Sequence, residues 1–176
     1  MKKTALIFLL ILFHIHVLQA QPYNIAIGAR FGKLNNGVTV KGFFPRNENV
    51  GIEAQLYSTL QAAQYGYSIK GFVFNQSTFK VPFIELPLDF IIGGGLQFGY
   101  FPYDAPGYYK IVNGLPEYYG KSVVTLGVAA NIALEYQFKK RNLPFAIGID
   151  AVPAYDFIHP GPDWFDFGVD FRYLIR

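Results

Sequence analysis

Few residue groupings in this sequence are equipped for chemistry. Past residue 20 there is a single histidine, His159, with Asp156 and Asp163 near it in the chain. A histidine backed by a carboxylate can act as a general base, and with a serine nucleophile it would suit hydrolysis of a lipid ester. Ser58, Ser68, Ser77 and Ser122 all fall on other segments, so the arrangement reads as a solvated loop histidine rather than a catalytic set. Gly93-Gly94-Gly95 has neither the lysine nor the helix that follow a phosphate loop. Asn75-Gln76-Ser77 matches the N-glycosylation pattern. Cysteine is absent, which excludes a disulfide framework and thiolate metal or redox chemistry. No cofactor is expected.

Two larger groupings remain. Arg30, Lys41, Lys70 and Arg172, with Glu53, Asp89, Glu135, Asp150 and Asp170, sit singly among small and polar residues, each flanked by apolar neighbours. Tyr103, Tyr108, Tyr109, Tyr118 and Tyr119 crowd the stretch from Pro102 to Gly120. Aromatic loops on a rigid scaffold bind partners or glycans. Tyrosines at a membrane rim also serve as plain interface anchors, and this is the favoured reading.

The elements that position these residues follow from composition and periodicity. Met1, Lys2 and Lys3, the apolar run Ala5 to Val17 and the small residue of Leu18-Gln19-Ala20 have the layout of a secretory signal peptide. The apolar run is too short for a spanning helix, which needs about 20 residues. Residues 1–20 are therefore expected to be a signal peptide and 21–176 a single barrel domain. Loss of Lys2 and Lys3 leaves 13 Lys and Arg against 12 Asp and Glu. The basic run Lys139-Lys140-Arg141 fits a solvated turn, so no nucleic-acid partner is expected.

Period-two alternation dominates the rest. Leu86, Leu88, Phe90, Ile92, Leu96, Phe98 and Tyr100 share a face opposite Asp89, Gly93, Gly95, Gln97 and Gly99. Val124 to Phe138, Phe145 to Tyr155 and Phe165 to Ile175 repeat the pattern. The first half is noisier, with strands near Tyr23–Phe31, Val38–Phe44, Val50–Tyr57 and Tyr67–Val73, the last blurred by Phe72 and Phe74. Turn residues at Asn35-Asn36-Gly37, at Pro45 to Asn49 and at Arg141 to Pro144 separate the segments. Eight antiparallel strands in sequence suit an up-and-down barrel, which leaves no unpaired edge.

Alternation alone does not say which face points outward. The polar face is built of Gly, Ala, Asn, Gln and Thr with isolated charges, whereas a water-facing sheet carries many Lys and Glu. A packed polar interior and a lipid-facing apolar band with aromatic ends fit it better. Buried charges are costly unless paired, and eight strands leave room only for side chains, so the nine charges are expected to form a closed, salt-bridged core. Strand alternation puts loops near Asn36, Gln64, Asn113 and Pro160 on one side, and turns near Asn47, Ser77 and Arg141 on the other. Such barrels keep short turns periplasmic, so the loop around Asn113 is expected to be extracellular and both termini periplasmic. The connection 75–84 is long for a turn, and Pro153 is expected to mark a bulge near the outer rim.

Leu126-Gly127-Val128 through Leu134-Glu135-Tyr136-Gln137-Phe138, then Leu143-Pro144 and Asp150-Ala151-Val152-Pro153, resembles the small outer-membrane β-barrel protein family of bacterial envelopes. The resemblance implies an eight-stranded barrel inserted by the outer-membrane assembly machinery, and it assigns no activity. One departure is Arg176 at the end of the last strand, where such barrels commonly carry an aromatic residue. The expected protein is a monomeric, non-enzymatic barrel in contact with outer-membrane lipid, with a structural or surface-interaction role. A lipid-modifying barrel enzyme and a soluble, lipocalin-like binder of apolar ligands are the alternatives.

Overall fold

A computed structural model describes residues 24–61, 64–81, 86–102, 108–112, 115–119, 121–138 and 143–175. The segment read as a signal peptide lies outside the described residues. Ten strands follow in chain order: β1 (Ile25–Gly32), β2 (Asn35–Phe44), β3 (Asn47–Gln61), β4 (Gln64–Val81), β5 (Leu86–Phe101), β6 (Tyr108–Val112), β7 (Leu115–Tyr119), β8 (Val123–Gln137), β9 (Phe145–Asp156) and β10 (Gly161–Ile175). Eight of them close an antiparallel up-and-down barrel in the order β1-β10-β9-β8-β5-β4-β3-β2, and β6 pairs only with β7. Closure comes from β1 against β10, with Ile25 opposite Ile175 and Gly32 opposite Gly168. No backbone edge of the barrel is left unpaired, which removes the usual route to edge-to-edge aggregation.

The pleat sorts side chains as period two requires. On β8 burial alternates without a break from Val123 to Gln137. Outward positions are apolar on every barrel strand, among them Ile27, Val40, Leu56, Val73, Leu96, Leu126, Ile149 and Phe171. Among the described residues, no helix is long and apolar enough to cross a membrane.

Four sequence expectations about connections are corrected. Residues 75–81 are strand and not loop, because β4 continues to Val81 and pairs with β5 from Asn75↔Ile92 to Val81↔Leu86; the rest of the stretch read as a connection, 82–84, lies outside the described residues. Gln76 and Thr78 are buried inside the barrel, so their polarity reflects a polar lumen and not a turn. Asn35-Asn36-Gly37 opens β2, and Lys33-Leu34 make the bend. The turn read over 45–49 is only Pro45-Arg46, since β3 starts at Asn47. The long connection between β5 and β8 holds the β6–β7 hairpin, with Tyr108↔Tyr119 and Tyr109↔Tyr118 directly opposed.

Pro153 does sit at an irregularity. The β9–β10 register passes from Ala154↔Asp163 to Val152↔Asp166, so Trp164 and Phe165 together face Pro153. Proline has no amide for the ladder, and the extra residue on β10 absorbs the mismatch.

The interior has apolar ends and a charged middle. Toward the chain termini, Ala26, Ala146 and Leu174 form one cluster, and Phe74, Ile91 and Ala133 another, with Phe43 packed against both. Phe43 and Phe74 meet edge to face at 5.3 Å. Phe72 and Phe74, which blur the alternation of β4, both point inward and are buried. Phe72 packs with Ala129, Val152 and Ala154, and Phe101 with Val123 at the end nearest the long connection.

Candidate functional site: the charged interior

The nine charges singled out in the sequence all lie inside the barrel, none more than 5 % exposed. Each stands on the inner face of its strand, and the barrel brings distant segments within bonding range. Arg172 on β10 is the hub of one group. Its Nη1 donates to Glu135 Oε2 at 2.7 Å, its Nη2 to Glu53 Oε1 at 2.8 Å, and its Nε to Thr39 Oγ1 at 3.2 Å. Asp170 Oδ2 lies 3.2 Å from the same Nη2. Lys41 Nζ donates to Gln76 Oε1 at 2.7 Å, lies 3.5 Å from Glu135 Oε2, and rests over the Phe74 ring at 4.9 Å. Glu53 also accepts from Gln55 Nε2 at 2.8 Å and from Asn131 Nδ2 at 3.3 Å.

Arg30 on β1 anchors the second group. Its Nε and Nη2 clamp both oxygens of Asp150, each at 2.7 Å, and its Nη1 reaches Asp166 Oδ2 at 2.7 Å. The planar guanidinium suits this fork. Tyr57 covers it, with the ring centroid 5.2 Å away, and the Tyr57 hydroxyl donates to Gln55. Asp166 Oδ1 in turn accepts the Leu34 amide at 2.9 Å, which ties the β1–β2 bend to β10. Lys70 lies over the other aromatic contact, 5.3 Å from the Tyr57 ring. Asp89 accepts from Thr78 Oγ1 and, at 2.5 Å, from Gln137 Nε2.

Glycines make room for both arginines. A Cβ on Gly168 would lie 2.6 Å from Arg30 Cζ, 2.7 Å from Nη2 and 2.8 Å from Nε. A Cβ on Gly28 would come within 2.7 Å of Arg172 Cγ. The guanidinium of Arg30 therefore lies directly on the backbone of β10. Gly168→Ala is expected to push Arg30 off its two carboxylates and to cost about 1–3 kcal/mol, the range for overpacking. A urea titration of the folded barrel checks this, and a midpoint equal to wild type would contradict it.

Asp166, Asp156 and Asn131 are among the interior residues outside the expected set. Asp166 keeps step with Gly168, Asp170 and Arg172 along β10, so its inward direction was legible, but its role as partner of Arg30 was not. Asp156 continues the inner face of β9 past Pro153 and is fully buried, its Oδ1 accepting the amides of Ile158 at 2.9 Å and Leu126 at 3.3 Å. Asn131 had no signal beyond its inward position.

The histidine and tyrosine groups are placed less closely. His159 stands on the turn 157–160, and its Nδ1 is 3.5 Å from Asp156 Oδ2. Asp156 thus has a structural task, holding the turn to β8. The side chain of Asp163 lies outside the described residues. Tyr103 lies outside them too, and for Tyr108, Tyr109, Tyr118 and Tyr119 only the backbone of the β6–β7 hairpin is described. Among the described residues no group of three His, Cys, Asp or Glu converges to hold a metal ion.

No family model matches the sequence, and no curated protein or solved structure matches it either. The geometry of the barrel is the ground on which function is read.

Proposed function

We propose that this chain is an integral outer-membrane β-barrel of the small bacterial type, with a closed, ion-paired interior and a structural or surface-interaction role rather than catalysis. The observation that carries the reading is the inversion of the faces. Arg30, Lys41, Glu53 and Arg172 are inside, while Leu96 is 65 % exposed, Phe167 59 % and Ile149 58 %. Such an apolar belt is far larger than the patches a soluble monomer leaves in water, and a lipid bilayer is the solvent that satisfies it.

Aromatic residues add to this. Phe145 and Tyr173 meet near one end of the barrel at 5.5 Å, and Tyr155 and Phe157 near the other at 5.9 Å. Paired aromatics at both ends of an apolar band are the arrangement that bilayer interfaces favour. Buried phenylalanines and ion pairs occupy the described lumen, so the reading assigns it support of the barrel rather than conduction. The hairpin formed by β6 and β7 would then stand outside the cell with its tyrosines, and the termini would face the periplasm.

The chain's lack of cysteine supplies the test. Asn113→Cys and Asn142→Cys, made separately, are labelled on intact cells with a bulky maleimide that does not cross the outer membrane. Labelling at 113 and protection at 142 until lysis is the expected result. Protection of both sites with the protein in the soluble fraction would overturn the membrane reading and favour a soluble barrel.

A further inference from the structure

One stretch of the outer face is concave. A groove of about 500 Å³ lies over β9 and β10 at the turn end of the barrel, walled by Ile27, Phe138, Leu143, Phe145, Phe171 and Tyr173. Strand register builds it. Tyr173 stands opposite Phe145 on β9 and Ile27 on β1, so outward apolar side chains line up across three strands. Phe145 meets Tyr173 edge to face at 5.5 Å, and Tyr136 meets Phe138 at 4.9 Å, contacts that hold the aromatic walls in place. The Pro144 carbonyl accepts the Leu174 amide at 2.8 Å, and the Phe145 carbonyl accepts the Phe138 amide at 3.1 Å, which pins the start of β9 to both neighbours. Ile27, Phe145, Phe171 and Tyr173 are each about half exposed.

A second, independent observation is the charge of that end. Setting aside the charges buried in the lumen, the chain brings Arg46, Lys80, Lys139, Lys140, Arg141 and Arg176 to the turn end, against Glu48 and Glu85. The opposite end is balanced, with Lys33, Lys110 and Lys121 against Asp104, Glu117 and Asp163. Arg46 and Lys80 are exposed. Residues 139–142 and Arg176 lie outside the described residues. Lys139-Lys140-Arg141-Asn142 is nevertheless the whole link between Phe138 and Leu143, two walls of the groove, and a link of that length keeps its charges at that end.

An apolar groove beside a surplus of cations suits an amphiphile with a hydrocarbon chain and an anionic head. Basic residues at a bilayer surface attract anionic headgroups, and the groove takes apolar surface out of contact with its surroundings. A zwitterionic lipid would use the groove without the cations, and a soluble anion the cations without the groove. A second copy of the chain, related by a two-fold axis along the bilayer normal, would set two basic ends side by side. We propose that the groove holds one anionic phospholipid, its acyl chain against Leu143, Phe145 and Tyr173 and its phosphate among the basic turns, an inference that rests on the membrane reading of the outer face.

The test is native mass spectrometry of the folded full chain, released from detergent micelles that carry equal amounts of phosphatidylglycerol and phosphatidylcholine with the same acyl chains. One phosphatidylglycerol per barrel is expected, retained several-fold over phosphatidylcholine, and the preference should shrink as salt rises. Lys139→Gln, Lys140→Gln and Arg141→Gln together should abolish the preference, whereas Lys33→Gln, Lys110→Gln and Lys121→Gln at the other end should keep it. Leu143→Ser should lower retention several-fold, and Leu96→Ser, as exposed a change on the far strand β5, should leave it unchanged. Equal retention of the two lipids would overturn the proposal. So would a preference that survives the 139–141 variant or an increase in salt, and so would pairs of chains retained without lipid, which would give the groove to a second copy. Failure of the membrane reading is told apart by the cysteine labelling. A barrel labelled at position 113 on intact cells that retains no phosphatidylglycerol overturns this inference alone.

Discussion

Arg172→Met is expected to destabilise the folded barrel by about 3–5 kcal/mol, the range for removing one member of a buried ion pair. The loss exceeds that of a surface pair because three buried carboxylates gather on one guanidinium, with Lys41, 3.5 Å from Glu135, the neighbouring cation. Glu135, Glu53 and Asp170 all lie within 3.2 Å of its nitrogens, and none of them is more than 2 % exposed. Without the arginine they would repel one another in a space water does not reach. Arg172→Lys keeps the charge but loses the fork, so it should recover only part of the loss. Thr39→Val removes a single neutral partner of Nε at 3.2 Å and should cost about 1 kcal/mol.

A double variant separates pairing from packing. Glu53→Gln alone removes an anion from a crowded site and should be mild. Placed on Arg172→Met, it should return part of the lost stability, because one of the stranded charges is gone. Urea midpoints followed by the fluorescence of the sole tryptophan, Trp164, provide the measurement. A wild-type midpoint for Arg172→Met would mean that the carboxylates are balanced by something other than this arginine.

Much of the barrel was legible in the sequence because one signal, period two, sets both strand direction and face. It named the eight strands and sent Arg30, Lys41, Glu53 and Arg172 to the same side. It failed where polarity stopped marking turns. In a barrel with a polar lumen, Gln76 and Thr78 are interior residues, so the stretch read as a long connection is strand as far as Val81. The same inversion explains Asn35 and Asn36, which look like a turn yet pair with Thr59 and Ser58. Phe72 and Phe74 disturbed the pattern for the opposite reason, being apolar residues that fill the lumen.

Partners within the site were beyond sequence reasoning. Arg30 and Asp166 are separated by 136 positions, and Arg172 and Glu53 by 119. Alternation says that such residues face inward, not at what height, and height is fixed by register and by the bulge opposite Pro153. A one-residue slip between Asp163 and Asp166 decides that Asp166, not a neighbour, meets Arg30. The glycines show the same limit. Gly168 and Gly28 look like ordinary small strand residues until the Arg30 guanidinium is seen lying against the first and the stem of Arg172 against the second.

Ile149→Arg should distinguish a lipid-facing surface from a water-facing one. Ile149 is 58 % exposed and sits between the aromatic ends of β9, Phe145 and Tyr155, with Leu134 and Val169 beside it on the neighbouring strands. The side chain touches nothing in the lumen, so the folded barrel itself loses little by the change. In a bilayer the charge would stand near mid-depth and cost about 2–4 kcal/mol, whereas Tyr155→Arg, at the end of the band, should cost only about 0–1 kcal/mol. Folding free energies in phospholipid vesicles should therefore fall with depth. In water the same arginine would relieve an apolar patch and leave stability within about 0.5 kcal/mol of wild type, the usual range for surface changes. Equal, small effects at both positions in vesicles would mean that the apolar belt does not meet lipid, and the proposed location would be lost while the ion-paired interior stood unchanged.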